Sequence, residues 1–118
     1  LPFLPPKEQG RAKREATDAA KRSARRARTD ALDEALLLVA LWFRDVTVVA
    51  DGAPEHAHAT DRLAALEEDA AALRRSSRAR DAVVAVEETR AALRLVNATE
   101  ELALEALAYR LERELNLS

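Results

Sequence analysis

Two histidines are the first candidates for chemistry in this sequence. His56 and His58 lie two residues apart, and Asp51, Glu55 and Asp61 are within a few positions of them. A His-x-His pair with carboxylates nearby is a pattern that can bind zinc. However, no third strong ligand follows at a helical spacing, and nothing in the sequence orients the two imidazoles. We therefore interpret the segment as a solvated loop and expect no metal site.

Clustered carboxylates are the second candidate. Acidic residues are adjacent at positions 67–69 and again at positions 87–88. Two carboxylates that act as acid and base need an apolar pocket that separates their pKa values. Neighbouring residues of a helix point to different sides, so we expect these groups to lie on solvated helix faces.

Two absences restrict the remaining chemistry. The chain contains no cysteine, which excludes disulfides, thiolate zinc sites and thiol nucleophiles. It contains only two glycines, so it cannot supply the phosphate-binding loop G-x-x-x-x-G-K-[ST]. We therefore expect that this chain is not an enzyme, uses no cofactor and takes no small-molecule substrate.

Charge is distributed unevenly along the chain. Residues 1–28 carry nine basic and three acidic side chains, a net charge of +6, whereas residues 29–118 have a net charge of −8. Within the basic part, residues 7–28 have alanine as their only apolar residue, so a helix there has nothing large to bury. We divide the chain accordingly into a proline-broken linker and basic arm, 1–28, and a helical domain, 29–118.

The basic arm has two interpretations. It could neutralise DNA phosphates with salt-dependent affinity, although it has no aromatic residue to stack on bases. It could instead be a solvated basic helix that joins two domains, which the sequence favours. The candidate DNA contacts are Lys13, Arg14, Lys21, Arg22, Arg25 and Arg26.

Hydrophobic spacing predicts that the first main helix begins after a cap at Asp30 and ends at Asp51-Gly52. Its apolar stripe recurs at spacings of 4, 3, 4, 3 and 4 and consists of Leu32, Leu36, Val39, Phe43, Val46 and Ala50. Other faces of this helix are apolar too, so we expect it to be central and to leave surface for a partner.

Three further helices follow from the same periodicity. The second is capped by Thr60 or Asp61 and broken at 74–80, the third runs from Asp81 to Asn97, and the fourth follows a cap at Thr99. Their stripes are Leu63, Leu66, Ala70 and Leu73; Ala82, Val86, Thr89, Leu93 and Val96; and Leu104, Leu107, Leu111 and Leu115. The sequence therefore predicts an all-α, antiparallel bundle of four main helices with a basic N-terminal helical arm.

No segment resembles a membrane span or a signal peptide. The apolar run 36–43 is shorter than the roughly 20 residues that a span needs, and "LPFLPP" lacks a basic start. We expect a cytoplasmic protein. Because the sequence starts with Leu1 and has no methionine, we also expect it to be part of a longer chain.

The pair Arg44-Asp45, directly after the apolar run, is unusual. Adjacent helical positions diverge by about 100°, so these two side chains need not pair with each other. Arg44 could project towards a neighbouring chain, or it could pair with Glu88 or Glu105 inside the bundle. Both interpretations remain open.

Four segments in order carry a resemblance to a known family. They are "WFRDVTVVADGA", "TDRLAALEEDAAAL", "ARDAVVAVEETRAALR" and "NATEELALEALAYRL". Together they resemble the C-terminal domain of the delta-prime subunit of bacterial DNA polymerase III, over roughly residues 28–115. That family has Trp/Tyr-x-Arg-Asp followed by aliphatic residues and Gly-Ala. Next comes a helix motif of the type A-x-E-x-x-R-x-A-L, and then a final motif, N-x-N-P-x-L-A-L-E-x-L.

In the helix motif the matching residues are Ala85, Glu87, Arg90, Ala92 and Leu93. In the final motif they are Asn97, Leu102, Ala103, Leu104, Glu105 and Leu107. Thr99 and Glu100 depart from the pattern, where Asn and Pro are usual, but both suit a helix start. These are helix-packing motifs, which gamma/tau subunits and related clamp-loader proteins share.

The resemblance implies a collar module that holds clamp-loader subunits in a ring. The assembled loader would place the sliding clamp on primed DNA with ATP, and the nucleotide-binding AAA+ modules would lie upstream of Leu1. The partners would be other clamp-loader subunits, and Trp42, Arg44 and Tyr109 are the candidate interface residues, because hot spots favour Trp and Arg. The alternative is a free-standing helical adaptor, or a non-specific nucleic-acid-binding protein that uses the basic arm.

Overall fold

The described part of the chain folds into four α-helices. The computed structural model describes residues 5–73, 76–95 and 99–115, and no strand occurs in these ranges. The helices are α1, Pro6–Ala50; α2, Leu63–Leu73; α3, Ser76–Leu95; and α4, Glu100–Leu115. Two short 3₁₀ turns, Pro54–His56 and Thr60–Arg62, connect α1 to α2. The predicted all-α helical bundle is confirmed. By internal contacts the chain divides into two units, Leu1–Leu32 and Asp33–Ser118.

Helix α1 begins at a proline, where the missing N–H costs no helical hydrogen bond. The amides of Glu8 and Gln9 both donate to the carbonyl of Pro5, at 2.9 and 2.8 Å, and close the first turn. From there α1 runs without a break through Asp30. The prediction that Asp30 caps a helix is therefore wrong, because the alanine- and arginine-rich residues before it are good helix formers.

The C-terminal end of α1 is a Schellman motif. The amide of Ala53 donates to the carbonyl of Val48 at 2.9 Å, and the amide of Gly52 donates to that of Val49 at 3.0 Å. Gly52 has a φ of 85°, a conformation that costs a side-chain-bearing residue energy. The predicted helix end at Asp51-Gly52 is confirmed.

The core of the second unit combines leucine and valine with small alanines. Val46, Leu66 and Val86 are its largest fully buried residues. Alanines at positions 79, 82 and 85 of α3 are also fully buried, and α3 packs most closely against α4. Because alanine permits helix axes to approach one another, the buried alanines of α3 add close helix contact to the burial of the larger side chains.

The buried side of α1 differs from the predicted stripe. Leu36, Ala40 and Val46 are buried, whereas Val39 is 37 % exposed and Ala50 is exposed. Leu38, next to Val39, is 63 % exposed. The buried side thus includes Ala40 in place of Val39, and a spacing pattern of large residues does not register an alanine.

Two predicted helix starts are wrong. Residues Thr60–Arg62 form a 3₁₀ turn without a side-chain cap, and α2 begins only at Leu63. Helix α3 begins at Ser76 and not at Asp81, because Ala79 packs into the core and the intervening arginines favour helix. Helix α4 begins directly after Thr99, as predicted. The predicted break at residues 74 and 75 and the predicted closing residues Val96 and Asn97 lie outside the described residues.

The predicted apolar stripes of α2 and α4 match the structure. Leu66 and Leu73 are buried in α2, and Leu107 and Leu115 are buried in α4. None of the described helices combines the length with the continuous hydrophobicity that crossing a bilayer requires.

Candidate interaction surfaces

A buried carboxylate holds the loop after α1 in place. Asp45 is 2 % exposed, and its Oδ1 accepts a hydrogen bond from the backbone amide of His58 at 2.8 Å. Its Oδ2 accepts from the amide of Ala59 at 2.9 Å, and the Nδ1 atom of His58 lies 3.1 Å from Oδ1. The loop therefore folds back along α1 and is fastened there; we call this arrangement the Asp45 clasp.

The clasp favours an ionised Asp45. Burial alone would raise the pKa of this carboxyl group, because it removes the charge from water. The hydrogen bonds from the amides of His58 and Ala59 and from the His58 ring outweigh burial, so the pKa of Asp45 lies below its ordinary value of 3.8. The clasp answers one of the questions that the sequence left open: Asp45 is satisfied within its own chain.

The histidine loop is ordered by this clasp, contrary to the expectation that nothing orients it. The ring of His58 is 67 % exposed but its Nδ1 faces Asp45. Within the described ranges, no three histidine, aspartate or glutamate side chains converge as metal ligands would. The buried Ala57, between the two histidines, packs into the core and fixes the loop further.

Trp42, a candidate interface residue, is anchored inside its own unit. Its Nε1 donates a hydrogen bond to Oδ2 of Asp69 at 2.7 Å, and the guanidinium of Arg62 lies 5.6 Å from its ring centroid. The ring is partly buried against the core. Part of its surface is therefore used within the bundle, and only the remainder is accessible to a partner.

A charged network fastens the beginning of the second unit to α3. The guanidinium of Arg90 donates to both oxygens of Asp33, at 3.0 and 3.3 Å, and Arg94 lies 3.1 Å from the same carboxylate. Glu87 accepts from Arg90 at 3.1 Å. The hydrogen bonds from Arg90 and then from Arg94 lower the pKa of Asp33 from 3.8 to about 2. Arg90 and Glu87 thus have a structural role that the motif alone did not specify.

The carboxylates at positions 87 and 88 are engaged and not simply solvated. Glu88 accepts a hydrogen bond from Arg110 and so links α3 to α4, while Glu87 belongs to the network above. Of the earlier acidic group, Glu67 and Glu68 are exposed, as expected, but Asp69 accepts the bond from Trp42. Glu88 and Asp69 therefore connect different helices, whereas Glu87 pairs with Arg90 within α3.

Arg44 is exposed and, within the part of the chain that the structure describes, makes no ion pair or hydrogen bond. The proposed internal partner Glu88 pairs with Arg110 instead, and Glu105 is exposed. Arg44 and Trp42 are two helical positions apart, so their side chains leave α1 on opposite sides. The structure does not bring these two candidates together.

Large apolar side chains remain exposed on three helices. They are Leu38 and Val39 on α1, Val84 on α3, and Leu102 and Tyr109 on α4. Tyr109, the third candidate interface residue, is 68 % exposed. Sequence periodicity pointed to excess apolar surface on α1 but missed the exposed face of α4, whose signal is Leu102 and Tyr109 seven residues apart.

Residues 7–28 of the basic arm are helical and lie in the first unit. All six candidate DNA contacts are exposed. Arg14, Lys21 and Arg25 share one side of the helix because they are seven and four residues apart, whereas Lys13 lies on another side. The positive charge is thus concentrated along one face but not confined to it.

No protein-family model matches the chain, and no curated protein or solved structure is similar to it at a significant level. The resemblance to the delta-prime family therefore stays a prediction that depends on the sequence motifs.

We expect Asp45→Asn to lower the free energy of unfolding by about 1–3 kcal/mol. An amide replaces one acceptor oxygen with a donor, which then faces the N–H of His58 or Ala59. Urea denaturation followed by circular dichroism measures the change. Asp51→Asn is the matched control. Asp51 is 45 % exposed, and its ion pair with Arg80, at 3.6 Å, lies at the surface. Equal effects of the two substitutions would contradict the clasp.

Asp33 makes stability depend on pH in acid. Its pKa is about 2 in the folded chain, below the unfolded value of about 3.9. Its contribution is therefore complete above about pH 4 and is lost as the pH falls towards about 2. We expect urea midpoints measured across this window to fall less steeply for Asp33→Asn than for wild type. Glu68→Gln, on an exposed face, should leave the slope unchanged; the same slope in all three proteins would exclude this role of Asp33.

Proposed function

We propose that this chain is a helical assembly module, and that its partners are other subunits of a clamp loader. The observation that carries the proposal is the exposed apolar side chain of Leu38, together with Val39, on a helix whose other side is buried. Exposed apolar residues that adjoin one another on a soluble domain commonly mark a binding surface.

The outer face of α1 is suited to a partner helix. We define it as Ala35, Leu38 and Val39, with the accessible edge of Trp42 at its end. Positions 38 and 39 are each three to four residues from both position 35 and position 42, so the four positions form one stripe. Alanine at the start of the stripe permits close approach, and Trp42 supplies the kind of side chain that dominates binding energy at interfaces.

The surface is also rigidly supported. Asp33 is held by Arg90 and Arg94 just before the stripe, and the Asp45 clasp fastens α1 just after it. A binding surface whose shape is fixed before binding loses less conformational entropy on association. The support from both ends favours an interface over an accidental patch.

The identity of the partners is supported by the sequence motifs. The resemblance to the delta-prime C-terminal domain implies neighbours of similar helical construction in a ring. It also implies that ATP-binding modules belong to other parts of the parent assembly. Under this proposal the chain contributes assembly and no catalysis, and replication is the process in which it takes part.

We expect the chain to co-elute with C-terminal helical domains of clamp-loader subunits from its own organism. Leu38→Glu should weaken the complex strongly, because it places a charge in the apolar stripe. Ala64→Glu is the matched control, since Ala64 is an exposed apolar residue of α2. If wild type binds none of these domains, the clamp-loader proposal fails. If both variants bind as well as wild type, the proposed surface is wrong.

A second function, non-specific nucleic-acid binding, is favoured by one observation. The arm is a continuous helix whose six candidate basic residues are all exposed and available to phosphates. It has no aromatic side chain, so it offers charge without base stacking. Such binding would be compatible with a clamp loader, whose substrate is DNA.

We expect weak duplex DNA binding that is independent of sequence and disappears at moderate salt. Each neutralised phosphate should contribute about −0.9 to the slope of log K against log salt. Fluorescence anisotropy over several salt concentrations tests this, with a variant that reverses Lys21, Arg22, Arg25 and Arg26 to glutamate. Arg44→Glu, outside the arm, is the control. Sequence preference, or binding that survives the reversal, would contradict arm-mediated contact.

A further inference from the structure

Helix α4 has an outer face that nothing in its own unit covers. Its inner side is buried through Leu107 and Leu115 and fastened to α3 by Arg110. On the outer side, Leu102 is 64 % and Tyr109 is 68 % exposed, and the two are seven residues apart. They therefore lie on one side of α4, two turns from each other.

Acidic side chains border this apolar pair. Glu101, Glu105 and Glu112 are exposed, and no ion pair or hydrogen bond engages them within the described residues. They recur at spacings of four and seven, so they form a stripe beside Leu102 and Tyr109. Glu101 and Glu105 repel each other at i and i+4, which disfavours the isolated helix. Arg113, an exposed basic residue, lies on the far edge of this face, beyond Tyr109.

We propose that the outer face of α4 binds the basic arm of a second copy of this chain. The arm presents Arg14, Lys21 and Arg25 on one side, all exposed and, in the described part of the chain, without ion-pair partners. The two surfaces are opposite in charge, both are exposed in the single chain, and each has the length of about three helical turns. Charge complementarity of this kind selects partners and fixes their register.

The spacing of charges on the two helices also agrees. The arm has Arg14, Asp18, Lys21 and Arg25 at intervals of four, three and four. Helix α4 has Glu101, Glu105, Ala108 and Glu112 at the same intervals. When one of the two series is read in reverse, Asp18, the one acidic residue of the basic stripe, corresponds to Ala108, the one uncharged residue of the acidic stripe.

This correspondence selects an antiparallel arrangement. With the helices antiparallel, Arg25 faces Glu101, Lys21 faces Glu105, and Arg14 faces Glu112. Asp18 then faces Ala108 and meets no acidic residue. In a parallel arrangement Asp18 would face Glu105, and the two carboxylates would repel each other. Lys21 would then face Ala108, which offers it no charged partner.

The arm has no large apolar side chain to cover Leu102 and Tyr109. The methylene stems of its arginines and lysine can do so while their charged ends reach the glutamates. An arginine above the Tyr109 ring would add a cation–π contact. This surface is separate from the outer face of α1, so it does not depend on the proposed clamp-loader partners.

The test is a charge exchange in the full-length chain. Sedimentation velocity over a range of protein concentrations at low salt should show self-association of wild type, which weakens as salt rises. One variant reverses Glu101, Glu105 and Glu112 to lysine; a second reverses Arg14, Lys21 and Arg25 to glutamate. Each alone should weaken association about tenfold or more. The two variants mixed together should associate again, because the acidic arm of one fits the basic α4 of the other.

A matched control reverses Lys13, Arg22 and Arg26 to glutamate, which makes the same charge change away from the central stripe. It should retain more association than the reversal of Arg14, Lys21 and Arg25. Circular dichroism of every variant checks that the helices persist. A monomeric wild type at all concentrations, equal loss in both arm variants, or no recovery on mixing would overturn the proposal.

Ala108 tests the orientation directly. In the antiparallel arrangement Ala108→Lys should strengthen association about twofold to fivefold through Asp18, and Ala108→Glu should weaken it by a similar factor. A parallel pair predicts the reverse, since position 108 would then face Lys21. Strengthening by glutamate would therefore overturn the antiparallel register.

Discussion

The carboxylate of Asp45 is the interaction on which the arrangement of the second unit depends. It is buried near the end of α1, and its two oxygens receive the amides of His58 and Ala59. A buried carboxylate without such donors would carry a large desolvation cost, so the loop must return to α1 for this residue to be tolerated. The return of the loop in turn determines where the chain begins α2.

The Schellman motif at Gly52 and the clasp act in sequence. The motif ends α1 and reverses the chain, and the clasp then holds the reversed segment against the helix that it has just left. Ala57 enters the core between them. Towards the other end of this part of α1, Asp33 is fastened to α3 by Arg90. Polar bonds therefore compensate for a core in which alanine occupies many positions, because alanine contributes little apolar area.

Periodicity in the sequence was sufficient for the helices and for the buried stripes of α2 and α4, since leucines there recur at helical spacing. It failed where small residues are buried: Ala40 lies on the buried side of α1 while Val39 is 37 % exposed, and Ala79 is buried in a helix that begins at Ser76. Helical periodicity is read from large apolar side chains, whereas the buried side of a helix also contains small residues such as alanine.

The site residues were less predictable than the helices. Asp45 stood out because a charge followed an apolar run, but its partners are backbone amides in a loop, which no spacing rule connects to position 45. Trp42 was predicted as an interface residue because tryptophan is common at hot spots. Its hydrogen bond to Asp69, however, holds the side chain within its own unit. Contacts between distant segments depend on how the chain turns, and the sequence specified the turn only at Gly52.

The basic arm and the outer face of α1 differ in the kind of attraction with which each would bind a partner. A basic arm without large apolar residues gains little from burial, so its attraction to a partner must be mainly electrostatic and sensitive to salt. The α1 face around Leu38 is different, because apolar contact is weakened little by salt. A molecule with both surfaces can keep one set of contacts while releasing the other as ionic conditions or competing polyanions change. Under the two proposals above, DNA and the acidic face of α4 compete for the same arginines and lysines of the arm.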